Sequence, residues 1–339
     1  MTVQSIEALE ATDSSRAVTL DEVQAPVQDD LQTVRDEMEL SITRDIPMLA
    51  VAARHLLAMK GKMFRPTLVL LSSSVAGAPT RDAIVVASVV EMVHLATLVH
   101  DDAVDHSMLR RGMPTINSLF NDQISVIMGD YLYSTALAQL VALENMPAMR
   151  VLIDASTQMS VGELSQLSTV EPLGFSESDY EFLIRSKTAS LMSAACRVGA
   201  MCGGSAHSEA LGRYGDALGM VFQITDDLID FTEASETTGK PSGLDLREHK
   251  VTLPLIAALR SMTAVERART VALFDASDPS DDDLADVAEI VVERGGLAYA
   301  RERAAEYADL ARDSLVDLPS TPARDALGAA ILYVMERHA

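Results

Sequence analysis

Basic residues are scarce in this chain. Lys and Arg number 27 against 50 Asp and Glu, a formal net charge of −23. That balance excludes a nucleic-acid binder, which needs Lys/Arg surfaces to meet the phosphate backbone. Tryptophan is absent and aromatics make up only 4%, while Ala, Leu and Met abound, a composition that favours helices packed on helices. Only two cysteines occur, Cys196 and Cys202, six apart on one predicted helix. This is not zinc-finger spacing, and it reads as a pair of reduced core residues in a cytoplasmic protein. The N-terminus lacks a basic segment followed by an apolar one, so no signal peptide is read there. No uncharged apolar run reaches the roughly 20 residues of a membrane span, leaving only peripheral, product-driven membrane contact.

What is present is ordinary for a large globular core: 339 residues, 48% hydrophobic and 23% charged. Residues 1–28 are polar and acidic without sustained periodicity and read as a mobile tail. Residues 29–339 read as one all-α bundle with a central tunnel-like cavity. Leu31, Val34, Met38 and Ile42 repeat at helical spacing. Further helices are predicted over 46–59, 80–106, 122–143, 149–167, 175–201 and 208–231, with short amphipathic helices after residue 264. No strand is predicted.

The chemistry gathers in the stretch EMVHLATLVHDDAVDHSMLRRG, Glu91–Gly112. On a helix His94, Thr97, Asp101 and Asp105 form one stripe, with Asp102 about a quarter-turn away. Carboxylates roughly 5 Å apart repel by about 3 kcal/mol per pair at an effective dielectric near 20, so such a triplet needs cations or open water. The same D-D-x-x-D spacing recurs in a second apolar run, where Gln223, Asp226, Asp227 and Asp230 share a helical face. Two copies inside hydrophobic sequence point to hard divalent metal. Mg²⁺ prefers one or two carboxylates plus phosphate oxygens, which implies a diphosphate held between two acidic helices. The few cations cluster correspondingly: Lys60-Gly61-Lys62-Met63-Phe64-Arg65-Pro66 enters a helix, and Arg110-Arg111 follows the first motif. A helix N-terminus with nearby cations attracts phosphate oxygens.

The segments GKMFRP (Gly61–Pro66), HLATLVHDDAVD (His94–Asp105), LRRG (Leu109–Gly112), GELSQL (Gly162–Leu167), Lys187-Thr188, FQITDDLID (Phe222–Asp230) and GKPSGLDLREHKVTLP (Gly239–Pro254) resemble, in order, the trans-polyprenyl diphosphate synthases. These are prenyltransferases of the all-helical isoprenoid synthase group. The resemblance implies Mg²⁺ on Asp101, Asp102, Asp105, Asp226, Asp227 and Asp230. Isopentenyl diphosphate would be held by Lys62, Arg65, His94 and Arg111. Arg110, Lys187 and Thr188 would contact the allylic diphosphate, Arg110, Lys187 and Lys240 would neutralise the departing group, Gln223 and Thr188 would supply polar contacts, and Lys250 would be a further substrate-binding residue. Met63 stands where the family often has a further basic residue.

Ala96 and Thr97 precede Asp101, where short-product members tend to carry bulky residues, so a long-chain product of the quinone side-chain kind is expected. A farnesyl or geranylgeranyl product, and a catalytic subunit that needs a smaller partner, are the alternatives. The resemblance also implies a homodimer. A His-Asp phosphohydrolase would leave Asp226–Asp230 unexplained. A terpene cyclase would not need the isopentenyl clamp.

Overall fold

The computed structural model describes residues 17–43, 46–59, 61–167, 171–232 and 243–337. The expected Lys240 lies outside them. The architecture is all-α. The helices are α1 Leu20–Gln24, α2 Gln28–Ile42, α3 Pro47–Ala58, α4 Phe64–Ser74, α5 Arg81–Val104, α6 Ile116–Leu119, α7 Asp122–Ala142, α8 Met146–Leu167, α9 Glu177–Ile184, α10 Ser190–Cys202, α11 Ser208–Thr232, α12 Leu244–Arg247, α13 Leu253–Leu259, α14 Ala264–Asp275, α15 Asp281–Glu293, α16 Gly296–Leu315 and α17 Pro322–Glu336.

The helix positions follow the apolar spacing. Leu31, Val34, Met38 and Ile42 all face the core from α2. Thr80 caps α5 by accepting the Ala83 N–H at 3.2 Å, and Asp105 closes it after 24 helical residues. α5 packs on α7, α10 on α4 and α11, and α11 on α16. α5 and α7 reach the length and apolarity of a membrane span, although charged residues break their apolar runs. α5 is the buried axis of the bundle.

The helix crossings in one wall are unusually close. A Cβ on Gly199 would lie 2.2 Å from the Val69 carbonyl oxygen, and one on Gly203 would lie 2.3 Å from that of Ser73. Gly215 and Gly219 on α11 likewise leave no room before the Met192 carbonyl (2.5 Å) and Ala189 Cα (2.4 Å). α4, α10 and α11 therefore touch main chain to main chain.

Two expectations are corrected. Residues 17–28 are not a mobile tail. Thr19 and Glu22 form a reciprocal capping box, and Val23 and Val27 bury their side chains under α4 and α17. Five helical residues are too few for a periodicity to register. Second, LRRG is neither helical nor irregular. Leu109–Arg110 (β1) pairs antiparallel with Met113–Pro114 (β2), the only strands among the described residues. The turn between them places both Arg111 (φ 52°) and Gly112 (φ 74°) in the left-handed region, as a two-residue hairpin requires.

Candidate active site

The first acidic motif ends α5. Asp102 is buried and gripped by Arg110, whose Nε donates to both carboxylate oxygens at 2.9 and 3.0 Å while Nη2 lies 2.8 Å from Oδ1. The hairpin thus presents Arg110 by folding back onto the helix it follows. Asp101 is pushed from the ordinary 3.8 up to about 6, chiefly by burial, although Lys187 and Arg110 pull the other way. Among the described residues neither the Asp101 nor the Asp105 carboxylate is tied by a hydrogen bond or ion pair.

Lys187 sits in a π-helical turn, Arg185–Ala189, between α9 and α10. Its ammonium pairs with Glu163 and donates to Gln166 Oε1 at 2.8 Å, so the GELSQL segment of α8 carries its counter-charge. Thr188, the next residue, faces α11 and donates its hydroxyl to Gln223 Oε1 at 2.9 Å.

The second motif lies on α11. Asp227 is buried and receives the Tyr180 hydroxyl at 2.5 Å on Oδ2 and the Gln223 amide at 3.0 Å on Oδ1. Asp230 receives the backbone N–H groups of Leu244 and Asp245, both at 3.1 Å, and so caps α12. Asp226 meets Arg337 at the end of α17. Burial raises the carboxyl pKa of all three. Asp245 is pushed up to about 7 by burial and by Asp230 beside it. Lys250 pairs with Glu248 at 2.6 Å and lies within the fields of Asp105, at the end of the first motif, and Asp230, at the end of the second.

The clamp residues also converge. Arg65 Nη1 lies 3.1 Å from His94 Nε2, and Asp226 lies within the fields of Lys62 and Arg65. Burial, then Arg65, Arg111 and Arg110, hold His94 far below its ordinary 6.5. The imidazole is therefore neutral and accepts the Arg65 N–H, orienting that guanidinium instead of adding a charge. Gln24 of α1 donates to the Lys62 carbonyl at 2.8 Å and to Thr67 at 3.0 Å, which ties the corrected N-terminal segment to the clamp loop.

Sequence reasoning missed four participants. Glu91, one turn before His94, is buried among Arg65, Arg111 and Arg35, and burial raises its carboxyl pKa. A glutamate inside an apolar helix facing a surplus of arginines was the available signal. Asp245 was legible only as part of a glycine-containing loop. Tyr180 and Arg337 carry no motif.

For a divalent metal the donor chemistry fits. Asp101 is a half-buried hard oxygen donor without an ion-pair partner among the described residues, with Asp105 one turn on. No three ligating side chains form a closed cluster among the described residues. The expected six-aspartate set divides accordingly: Asp102, Asp226, Asp227 and Asp230 are engaged by protein partners, and Asp101 and Asp105 are not.

An all-helical bundle that sets two D-D-x-x-D motifs against a basic clamp defines an isoprenoid-synthase-type site. The Polyprenyl synthetase family model matches residues 46–291, and the chain belongs to that family. It is an enzyme, a prenyltransferase. The nonaprenyl diphosphate synthase of Mycobacterium tuberculosis is 34% identical over 317 residues, 93% of this chain and 94% of that protein. A polyprenyl synthase from Caulobacter crescentus, solved with calcium and isoprenyl diphosphate, superposes with a TM-score of 0.90 at 33% identity over 96% of this chain and 99% of that one. A decaprenyl diphosphate synthase from Rhodobacter capsulatus gives 0.89 at 36% identity, over 95% and 100%.

Proposed function

We propose that the protein condenses isopentenyl diphosphate with an allylic diphosphate, repeatedly, to give a long-chain all-trans polyprenyl diphosphate. What supports this reading is that both acidic motifs end close to Lys250, through Asp105 and Asp230, with Lys62 and Arg65 of the clamp close to Asp226. Mg²⁺, bound through Asp101, Asp105 and diphosphate oxygens, would neutralise the leaving group. Arg110, locked on Asp102, and Lys187, locked on Glu163, stand pre-oriented for the same charge. Lys62, Arg65 and Arg111 would place the isopentenyl double bond against the allylic carbon, so much of the acceleration is placement.

Ala96 is buried and Thr97 half-buried on α5, between one and two turns before Asp101, and side chains this small would leave room for a growing chain. Each added isoprene unit gains up to about 4 kcal/mol from burial. Termination must therefore be steric and deeper. α7 and α8 carry exposed Val126, Ile127, Val141, Val161 and Leu164, an apolar surface that suits a homodimer. The unpaired thiols, one fully buried, suit the cytoplasm.

The test is product chromatography of the purified chain with isopentenyl and farnesyl diphosphates together, and with farnesyl diphosphate alone. Products of C35 or longer only when both are present support the reading. Turnover of farnesyl diphosphate alone would favour a cyclase.

A further inference from the structure

α9, the π turn and α10 form one continuous rod, and it presents three side chains to two different neighbours. Tyr180 reaches Asp227 and Thr188 reaches Gln223, both on α11, whereas Lys187 turns to Glu163 and Gln166 on α8. An unbroken α-helix would set Tyr180 and Thr188 about 80° apart, because eight steps of about 100° overshoot two turns. A π turn absorbs one extra residue, leaving roughly seven effective steps and a difference of about 20°. The π turn therefore puts Tyr180 and Thr188 on one face and leaves Lys187 about a third of a turn away.

On that face the hydrogen bonds have one direction. Tyr180 donates to Asp227 Oδ2. The other oxygen, Oδ1, takes an N–H from Gln223. This fixes the Gln223 amide, with its carbonyl toward Thr188, and the Thr188 hydroxyl donates to that carbonyl. Both carboxylate oxygens of Asp227 are held by protein donors. Among the described residues the second Gln223 N–H has no partner.

We propose that Tyr180 is a positioning residue for the allylic diphosphate: by holding Asp227 it sets the Gln223 amide and the Thr188 hydroxyl, and it keeps Asp227 out of metal coordination. This rests on the prenyl-transfer reading above. Asp227 then acts as a fixed acceptor around which the polar wall of the leaving-group site is built. Metal binding falls to the other aspartates.

The test compares wild type, Tyr180→Phe, Asp227→Asn and the double variant, each first checked by melting temperature and circular dichroism. Calorimetric titration uses farnesyl thiodiphosphate with Mg²⁺ and, separately, isopentenyl diphosphate. Tyr180→Phe is expected to weaken farnesyl thiodiphosphate about tenfold, the usual worth of one buried hydrogen bond. It should leave isopentenyl diphosphate affinity and half-saturating Mg²⁺ within about twofold, as expected where no contact to either is lost. Asp227→Asn keeps Tyr180 but offers an N–H where Gln223 needs an acceptor, so it should show the same selective loss even if Tyr180→Phe does not fold. The double variant should be no weaker than the weaker single one. Equal losses for both ligands, a shift in Mg²⁺ dependence, multiplied losses in the double variant, or no change would each overturn the role. If wild type makes polyprenyl product while the variants bind normally, only Tyr180 is misassigned. If wild type neither binds farnesyl thiodiphosphate nor turns over, the enzymatic reading itself fails.

Discussion

The Arg337 guanidinium lies over the Phe222 ring, 3.7 Å from its centroid, and pairs with Asp226 of the second acidic motif while also bonding the Phe222 carbonyl at 2.8 Å. A stacked pair of Phe64 with Phe222 and a tilted one of Phe64 with Tyr333, both at 5.9 Å, seat α17 so that the arginine reaches this point. Removing it leaves a half-exposed carboxylate with one cation fewer and strips the cover from the Phe222 ring. Arg337→Ala should cost about 1–2 kcal/mol in a urea melt. Arg337→Lys should recover only part of this, because an ammonium keeps the charge but loses the planar stack. A melt unchanged in both would show that Asp226 finds another partner.

Asp101 holds its charge against burial, so neutralising it should separate activity from stability. Asp101→Asn is expected to lower turnover at least about 100-fold, the loss of an electrostatic contact to the reacting group. Its melting temperature should stay level or rise, since an unfavourable buried charge is removed. Near-normal turnover would count against a metal at this position.

The raised carboxyl groups also fix the sign of the pH dependence without metal. Asp101 moves from 3.8 to about 6 and Asp245 from 3.8 to about 7 on folding. Between those limits the folded chain binds more protons than the unfolded one, so stability falls as pH rises from about 4 to 7. Thermal melts in EDTA should show this decline, and saturating Mg²⁺ with diphosphate should flatten it. A rise in stability over the same window would contradict the burial of these groups.

Ala96→Phe adds a ring at a buried position of α5, between one and two turns before Asp101. Products should shorten toward farnesyl and geranylgeranyl diphosphates, at a packing cost of about 1–3 kcal/mol. Radiolabelled product chromatography decides it, and an unchanged product distribution would move the length control elsewhere.

Gly199→Ala should destabilise by about 3 kcal/mol, because the new methyl would sit 2.2 Å from a main-chain oxygen that no rotamer change can move. Denaturant unfolding measures it directly.

The helices were legible wherever an apolar stripe ran three turns or more, as with Leu31, Val34, Met38 and Ile42. Both acidic motifs were legible because their spacing repeats. The hairpin at Arg110 was not, since two-residue strands have no period and its turn depends on an arginine taking a left-handed φ. The π turn at Lys187 left no trace either, as its sequence is as helical as its flanks. His94 was identified by position, but its neutrality follows first from burial and then from three arginines brought together by tertiary folding. Tyr180 reads in sequence as a core aromatic and becomes informative only when Asp227 lies 2.5 Å from its hydroxyl.

The glycine-lined crossings of α4, α10 and α11 have a consequence for how reactants meet. Lys62 and Arg65 ride at the head of α4, Lys187 just ahead of α10, and Asp226 on α11. With backbones in direct contact, these three carriers form one stiff plate, so in the proposed reaction the spacing between the two diphosphates would be set by main-chain atoms. Drift that would part nucleophile from electrophile is suppressed at its source. Variation in what the enzyme makes would then fall to the contact of α5 with α7, where the closest approach of a glycine is to a side chain and not to main chain.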